Sequence, residues 1–427
     1  MRFNIPDSDK PRLVIIGAGF AGFTLASKLK GKEFQIVLLD KNNYYQFQPL
    51  FYQVAMSGLE PSSICFPLRK NFQDVKDFYV RVAEVTKVIS DEKRIESSIG
   101  ILKYDYLVLA MGAKTNYYGN PNFEKYSIPL KSVSEALFLR NAILDDLEQA
   151  VMTTDAIEQK ELMDIVIVGG GPTGVELAGA LSEMKKHVLP KDYPDLNPQR
   201  MDIHLIQASN RLLDSMSDKA SQAALKDLIR MEVHIHLSNY VTDMQQNLVV
   251  LSTGKQIRAR KIIWAAGVKA AVIPGLPDNS YDKGGRIIVN GNAEINGIEN
   301  VYAIGDVGLM PSEKFPNGLP GLAPVALQQA AYLAKMLRLS IQKKNKKQFQ
   351  YFDKGTMATI GRSKAVLDFH GLFMSGFLAW FAWLFVHIYY LIGVKNKLIV
   401  FINWLWSYIF YDQSLRLNIR HKLPESS

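Results

Sequence analysis

The stretch RLVIIGAGFAGFTLASKLKGKEFQIVLLDKNN, residues 12–43, decides the fold. Leu13–Ile16 is a short apolar run suited to a parallel strand buried on both faces. Gly17, Gly19 and Gly22 follow in GxGxxG spacing. Phe20 to Lys30 has helical periodicity. A second apolar run, Ile36–Leu39, ends at Asp40. Strand, glycine turn, helix, strand and acid together form the dinucleotide fingerprint. The glycines permit a tight turn, close approach of backbone to a pyrophosphate, and tight helix–strand packing. The helix N-terminus turns partial positive charge toward the phosphates, and Asp40 is placed to accept from ribose hydroxyls.

The pattern recurs in DIVIVGGGPTGVELAGALSEM, residues 164–184. Ile165–Val168 supplies the strand, and Gly169, Gly171 and Gly174 repeat the spacing. Pro172 suits a first helical turn. The next strand, MDIHLIQAS (201–209), carries Gln207 where an acid would close the motif. Two nucleotide sites in one chain imply an electron relay between two cofactors. KIIWAAGV (261–268) and ENVYAIGDV (299–307) are further buried strands, the second running into Gly305 and Asp306.

The chain has 427 residues, enough for two or three domains at about 150 each, and a formal charge of +9. A basic protein attracts nucleic acid, anionic lipid or anionic cofactors, but no base-reading or zinc-binding pattern is present, so nucleic acid is not an expected partner and no metal site is expected. Cys65 is the single cysteine, which excludes an internal disulfide and a paired-thiol redox centre; its expected role is that of a small buried hydrophobe. The polar N-terminus lacks the apolar core of a signal peptide, so the main body is expected in the cytoplasm.

These elements resemble the flavoprotein reductases with two dinucleotide domains. The resemblance implies an α/β fold of two Rossmann-like domains. The first fingerprint, Gly17, Gly19, Gly22 and Asp40, would hold FAD together with Gly112, Gly305 and Asp306. Gly169, Gly171, Gly174, Gln207 and Gly267 would hold the nicotinamide cofactor. YDYLVLAMGAKTNYYG (104–119) looks like that family's crossover strand. With no thiol relay, electrons must leave the flavin directly. NNYYQFQPLFYQVAMSGLEP (42–61), GPTGVELAGAL, LAPVALQQAAYLA and the tail together resemble type II NADH dehydrogenases, the single-chain NADH:quinone oxidoreductases that do not pump protons.

That resemblance implies NADH as hydride donor and a membrane quinone as acceptor. It places Glu176 at the nicotinamide–flavin junction as a catalytic acid, and Ala326, Gln328 and Gln329 at the quinone region, with Pro324 replacing the first glutamine of the family motif. Gln207 lacks the charge that repels a 2′-phosphate, so NADPH is a possible second donor. Two other readings are compatible with the residues. One is a soluble reductase for a protein or oxygen, whose tail only dimerises; the other is a non-catalytic flavin-based redox sensor.

The expected domains are 12–119 with 259–343 for FAD, 120–258 for the nicotinamide cofactor, and a helical, membrane-associated tail, 344–427. Residues 1–11 are expected to form a loose arm, and 152–161 a loop. LFMSGFLAWFAWLFVHIYYLIGV (372–394) contains no Asp, Glu, Lys or Arg. As one helix it would reach about 34 Å, enough to span a bilayer core of about 30 Å; 398–412 would reach only about 22 Å. Gly376, Trp380, Trp383, His387 and Tyr390 share one stripe of the first segment. Asn403, Trp404, Ser407, Tyr408 and Tyr411 share one side of the second. Tryptophan and tyrosine at this density suit a membrane interface. The basic flanks Lys395, Lys397, Arg416, Arg420, His421 and Lys422 suit anionic headgroups. The expectation is an in-plane anchor on the cytoplasmic face rather than a span, with a homodimer as the assembly implied by the resemblance. His387 is expected to be a packed or interfacial histidine.

Overall fold

The computed structural model describes residues 3–31, 33–341, 347–410 and 415–418. The chain forms two compact units. The first comprises Met1–Gln46, Cys65–Lys114 and Val268–Lys354. Its five-stranded sheet runs Val301–Ala303, Tyr106–Leu109, Arg12–Ile16, Gln35–Asp40 and Phe78–Val82, all parallel. Leu13, Val14 and Ile15 are wholly buried in its centre, as an all-apolar parallel strand requires. The 104–119 stretch therefore supplies an interior strand. Helix Phe20–Leu29 packs on helix Ala323–Ile341. The expected loose arm is docked from its third residue: Phe3 is buried, and Arg81 donates to its carbonyl at 2.7 Å.

The second unit comprises Phe47–Ile64, Thr115–Gly267 and Gly355–Ser427. Its parallel sheet runs Ile128–Pro129, Lys261–Trp264, Ile165–Val168, Ile203–Ile206 and Val233–His236. Lys261–Trp264 was expected to open the return to the FAD domain. It instead pairs with Ile165–Val168, so residues 259–267 belong to the second unit and Lys261–Trp264 to its sheet. Residues 152–161 are not a plain loop. Asp155 accepts from the amides of Ile157 and Glu158 and caps the helix Ala156–Met163, a strong N-cap arrangement.

The tail differs most from expectation. Residues 372–394 are not one helix. Leu372–Ser375 is the outer strand of a three-stranded antiparallel sheet with Lys364–Phe369 and Thr356–Gly361. The left-handed Gly376 (φ 76°) starts helix Phe377–Tyr390, and Gly393 (φ 83°) separates it from helix Val394–Phe410. At 14 and 17 residues these helices reach about 21 and 26 Å. Among the described residues no helix is long and apolar enough to cross a membrane.

The stripes also face the other way. Trp383 and His387 are buried, and Trp380, Trp404, Ser407 and Tyr408 are partly buried along the inner seam. The outward face carries Phe377, Phe381, Phe385, Phe401, Trp406 and Phe410. The inward rings stack on one another, Trp383 on His387 and Trp380 on Tyr408, and the Trp404 indole donates to Gln53 at 2.6 Å. His387 is a core residue: its Nδ1 lies 2.7 Å from the Trp383 carbonyl, and burial pushes its pKa down to about 4. Tyr411, Arg420, His421 and Lys422 lie outside the described residues. Arg416 is paired with Asp192 rather than offered to headgroups.

Candidate active site

The two glycine loops adopt the same geometry. Gly17 and Gly169 have φ of 98° and 112°, a region open to glycine. A Cβ on Gly22 would meet the Gly17 carbonyl oxygen at 1.8 Å, and one on Gly174 would meet that of Gly169 at 1.8 Å. Gly19 and Gly171 face open space, and neither following helix has a side-chain cap. A helix start without a side-chain cap, with room at its N-cap glycine, fits a pyrophosphate.

The closing residues differ. Asp40 accepts from the Ala18 amide at 2.7 Å and the Asn42 amide at 2.8 Å, and burial raises its pKa. Gln207 takes the equivalent bond with a neutral oxygen, accepting from the Gly170 amide at 2.8 Å. Its Nε2 donates to Ser209 Oγ at 2.5 Å. Arg211, a possible partner for a 2′-phosphate, already pairs with Asp218 and donates to the Asp214 carbonyl at 2.6 Å.

The remaining cofactor glycines sit at turns. Gly112 and Gly305, both in the first unit, have φ of 70° and 75°. Gly267, in the second, has φ 120°, and a Cβ there would meet Tyr118 Oη at 2.8 Å. Asp306 lies on the 3-10 turn Gly305–Val307, beside Gly321. The first loop with its carboxylate fits FAD, and the second fits a nicotinamide dinucleotide.

Gln328 and Gln329 have other partners than a quinone carbonyl. Gln329 is buried, and its Oε1 accepts from the Gly305 amide at 2.8 Å, holding the turn that carries Asp306. Gln328 accepts from the Phe352 amide at 3.0 Å and donates to the Phe352 carbonyl at 2.9 Å. Ala326 is buried beside Gly305. All three belong to the first unit.

The second unit contains a pocket built on helix Pro172–His187. Glu176, Ala180, Glu183 and His187 line it, at spacings of four, three and four, which make one helical stripe. The opposite wall is strand Thr356–Gly361. Helix and strand approach so closely that a Cβ on Gly179 would meet the Ile360 carbonyl at 1.7 Å. On either side of that contact the strand region binds a carboxylate. The Thr359 amide donates to Glu176 Oε1 at 3.3 Å, and the Arg362 amide donates to Glu183 Oε1.

Burial pushes the Glu176 pKa up to about 8, opposed by the Thr359 amide and the adjacent Trp383 indole, whose N–H makes no well-aligned bond. Burial likewise raises Glu183, opposed by the amide and charge of Arg362 and by Lys364. At neutral pH Glu176 therefore holds a proton it can give up. Tyr52 and Gln53 enter from helix Phe51–Ala55. Gln53 donates to Tyr52 Oη at 2.8 Å and accepts from the Trp404 indole at 2.6 Å.

Of this pocket, sequence reasoning found Glu176 and missed Tyr52, Gln53, Glu183, His187, Trp383 and Trp404 as lining residues. Two signals were available. Glu183 and His187 repeat the Glu176 stripe, and Tyr52–Gln53 falls inside the 42–61 segment that carries the family resemblance.

Two other candidates hold less. Asp164, Asp202 and His204 bring ligand atoms within 4.8 Å of one another. Lys160, however, bridges the two carboxylates at 2.8 and 2.5 Å and already offsets half of their charge. Burial pushes the Cys65 thiol up to about 12, which makes it a poor nucleophile at neutral pH.

Residues 11–330 match the family model for pyridine nucleotide-disulphide oxidoreductases, and residues 354–411 match that for the NDH2 C-terminal domain. The type II NADH:quinone oxidoreductase Ndh of Mycobacterium tuberculosis is 34% identical over 408 residues, covering 92% of this chain and 87% of the relative. An internal alternative NAD(P)H-ubiquinone oxidoreductase A1 of Arabidopsis thaliana mitochondria is 28% identical over 437 residues, covering 95% and 85%. The structure of NDH2 from Plasmodium falciparum in complex with NADH superposes with a TM-score of 0.87 at 22% identity, covering 96% of this chain and all of that one.

Proposed function

The chain belongs to the type II NADH:quinone oxidoreductases, and from that premise we propose that quinone is reduced in the pocket closed by Glu176. The protein is an FAD-dependent, non-pumping NADH:quinone oxidoreductase. FAD, when bound, accepts a hydride from NADH and passes two electrons to quinone. The chain's own part is to hold, orient and supply protons. Gly17, Gly19, Gly22 and Asp40 hold the flavin's adenosine diphosphate, and Gly305 with Asp306 the rest of its chain. Gly169, Gly171, Gly174 and Gln207 hold the nicotinamide dinucleotide, with Gly267 at the end of its sheet.

The observation that supports the quinone assignment is the Glu176 carboxyl, its pKa pushed up to about 8 by burial, on an aromatic wall of Tyr52 and Trp383. A quinone needs an apolar, stacking site and a proton donor at its carbonyl oxygen. Gln328 and Gln329 then act on the flavin side, through Gly305 and Phe352, rather than on quinone.

Gln207 supports use of NADPH beside NADH, since it keeps the loop bond without a charge to repel a 2′-phosphate. Steady-state kinetics with both donors and a soluble quinone analogue test both points. Quinone-stimulated oxidation of NADH is expected, with NADPH used at a lower but measurable rate. A preference for NADH of several hundredfold overturns the NADPH reading.

The outward faces of helices Phe377–Tyr390 and Val394–Phe410 support an in-plane membrane anchor on the cytoplasmic side, where NADH is produced. Exposed Lys395 is placed for anionic headgroups, and part of the same apolar face serves a homodimer. Replacing Phe381, Phe385, Phe401 and Trp406 by serine is expected to abolish co-sedimentation with anionic vesicles; retained binding refutes the anchor. Sedimentation in detergent reads the dimer, and a single monomeric species refutes it.

A further inference from the structure

The overall reaction is NADH + H⁺ + Q → NAD⁺ + QH₂. The hydride carries both electrons and one proton, so each turnover draws one further proton from water. Glu176 can give a proton once; to act again it must be recharged. Glu176 is half-buried and its carboxyl sits beside Thr359, Trp383 and Tyr52 at the pocket wall, where a bound quinone would cover it, so a path from solvent is needed.

The stripe on helix Pro172–His187 supplies one. Glu183 lies seven residues beyond Glu176 and His187 four beyond that, on the same wall of the pocket. The span from Glu176 to His187 is about 16 Å at 1.5 Å per residue. Tyr52 lies across from both acids: the charges of Glu176 and Glu183 both act on its phenol, which is buried and held by the Gln53 amide at 2.8 Å. That bond is received by the phenol oxygen, which leaves its hydroxyl proton for a carboxylate. His187 is partly exposed at the far end.

We propose that His187, Glu183 and Tyr52 form the route by which solvent protons reach Glu176 and, through it, the quinone. Glu176 first delivers its proton to the quinone oxygen and is left as a carboxylate. A proton arriving at His187 then moves to Glu183, and Tyr52 takes it on its oxygen while giving its own hydroxyl proton to the Glu176 carboxylate. No electron moves along the route, and each group ends as it began.

The charges around it suit that direction. Burial lowers His187, aided by Lys186, Arg362 and Lys191. Burial raises Glu183 against the pull of Arg362 and Lys364. Glu176 has no cation among its influences and holds its proton up to about pH 8. His187 thus gives up its proton more readily than a free imidazole, and both acids hold theirs more firmly than free carboxyls. Strand residues Thr359 and Arg362 fix the two carboxylates by backbone amides, so a carboxamide at either position keeps its acceptor oxygen and loses only the proton.

The proposal rests on Glu176 being the quinone's proton donor, and the experiment separates the two. Full-length holoenzyme, checked for FAD content, is reduced anaerobically with NADH and then mixed with a soluble quinone analogue between pH 6 and 9. Glu183→Gln and Tyr52→Phe are expected to slow the quinone step about 10- to 100-fold, with an enlarged solvent isotope effect that wild type lacks. Glu183→Asp should recover most of the rate. His187→Ala should lose less and regain it when imidazole is added to the buffer, a rescue that a merely structural role does not give. Wild-type quinone rates in Glu183→Gln and Tyr52→Phe, with Glu176→Gln slow, overturn the route and leave Glu176 in place. Wild-type rates in all three overturn both readings.

Discussion

Asp40 and Gln207 close two copies of one loop and take the same bond from it, at 2.7 Å from Ala18 and 2.8 Å from Gly170. The backbone therefore asks only for an acceptor oxygen. What the side chain adds is charge, and charge is what a ribose hydroxyl or a 2′-phosphate reads. On the proposed reading the first loop keeps the carboxylate and commits to an unphosphorylated ribose, and the second gives it up, so two loops of one shape would differ in what they discriminate.

The severest way to break the comparison is steric. Gly22→Ala and Gly174→Ala each force a methyl group onto a backbone oxygen at 1.8 Å. Overpacking of this kind costs about 1–3 kcal/mol, roughly 10- to 100-fold in affinity. Gly22→Ala is expected to purify depleted in flavin, read from its visible spectrum. Gly174→Ala is expected to keep its flavin and show a KM for NADH raised by about that factor. If both variants lose flavin, the two loops do not have separate cofactors.

Charge is the next test. Asp40→Asn keeps the acceptor and removes the charge; the loss of a charge-assisted bond of about 1.5 kcal/mol predicts roughly tenfold weaker FAD retention in dialysis. Gln207→Glu is the opposite change. It should lower the NADPH-to-NADH ratio of kcat/KM by about tenfold while leaving NADH nearly untouched, since a like charge meets only the 2′-phosphate. An unchanged ratio assigns discrimination to another residue.

A smaller effect concerns stability. Glu176, beside the second loop, has a folded pKa of about 8 against an ordinary 4.5. The folded state thus binds more protons between those values, and this contribution to stability, full below pH 4.5, is lost as pH rises toward 8. Glu176→Gln should raise Tm by a few degrees at pH 9, on the order of 2–4 °C per kcal/mol, and leave it unchanged at pH 4. A pH-independent difference removes the buried-acid reading.

The two fingerprints were legible because GxGxxG spacing, flanking apolar runs and a closing residue 20-odd positions later are all local. The identity of Gln207 was visible; its bond to Gly170 was not, because that depends on strand register. The pocket was half legible. Glu176 belongs to a motif, but Tyr52, Trp383 and Trp404 come from segments more than a hundred residues away. The tail misled for a physical reason. Composition shows how apolar 372–394 is, but Gly376 and Gly393 end the helix, and the fold turns the Trp383–His387 stripe inward, where it packs against Tyr52, Phe47 and Trp404. The glutamines of the 322–334 segment show the same limit of composition: an amide that suits a quinone carbonyl serves the Gly305 turn equally well.

The most direct test of the Glu176 pocket follows the two half-reactions of Glu176→Gln by anaerobic stopped flow. Reduction of the bound flavin by NADH should proceed near the wild-type rate. Its reoxidation by a soluble quinone analogue should fall by about 100-fold and lose the wild-type decline through pH 8, the scale expected for removing a general acid. Reoxidation at the wild-type rate with the wild-type pH profile would contradict the account.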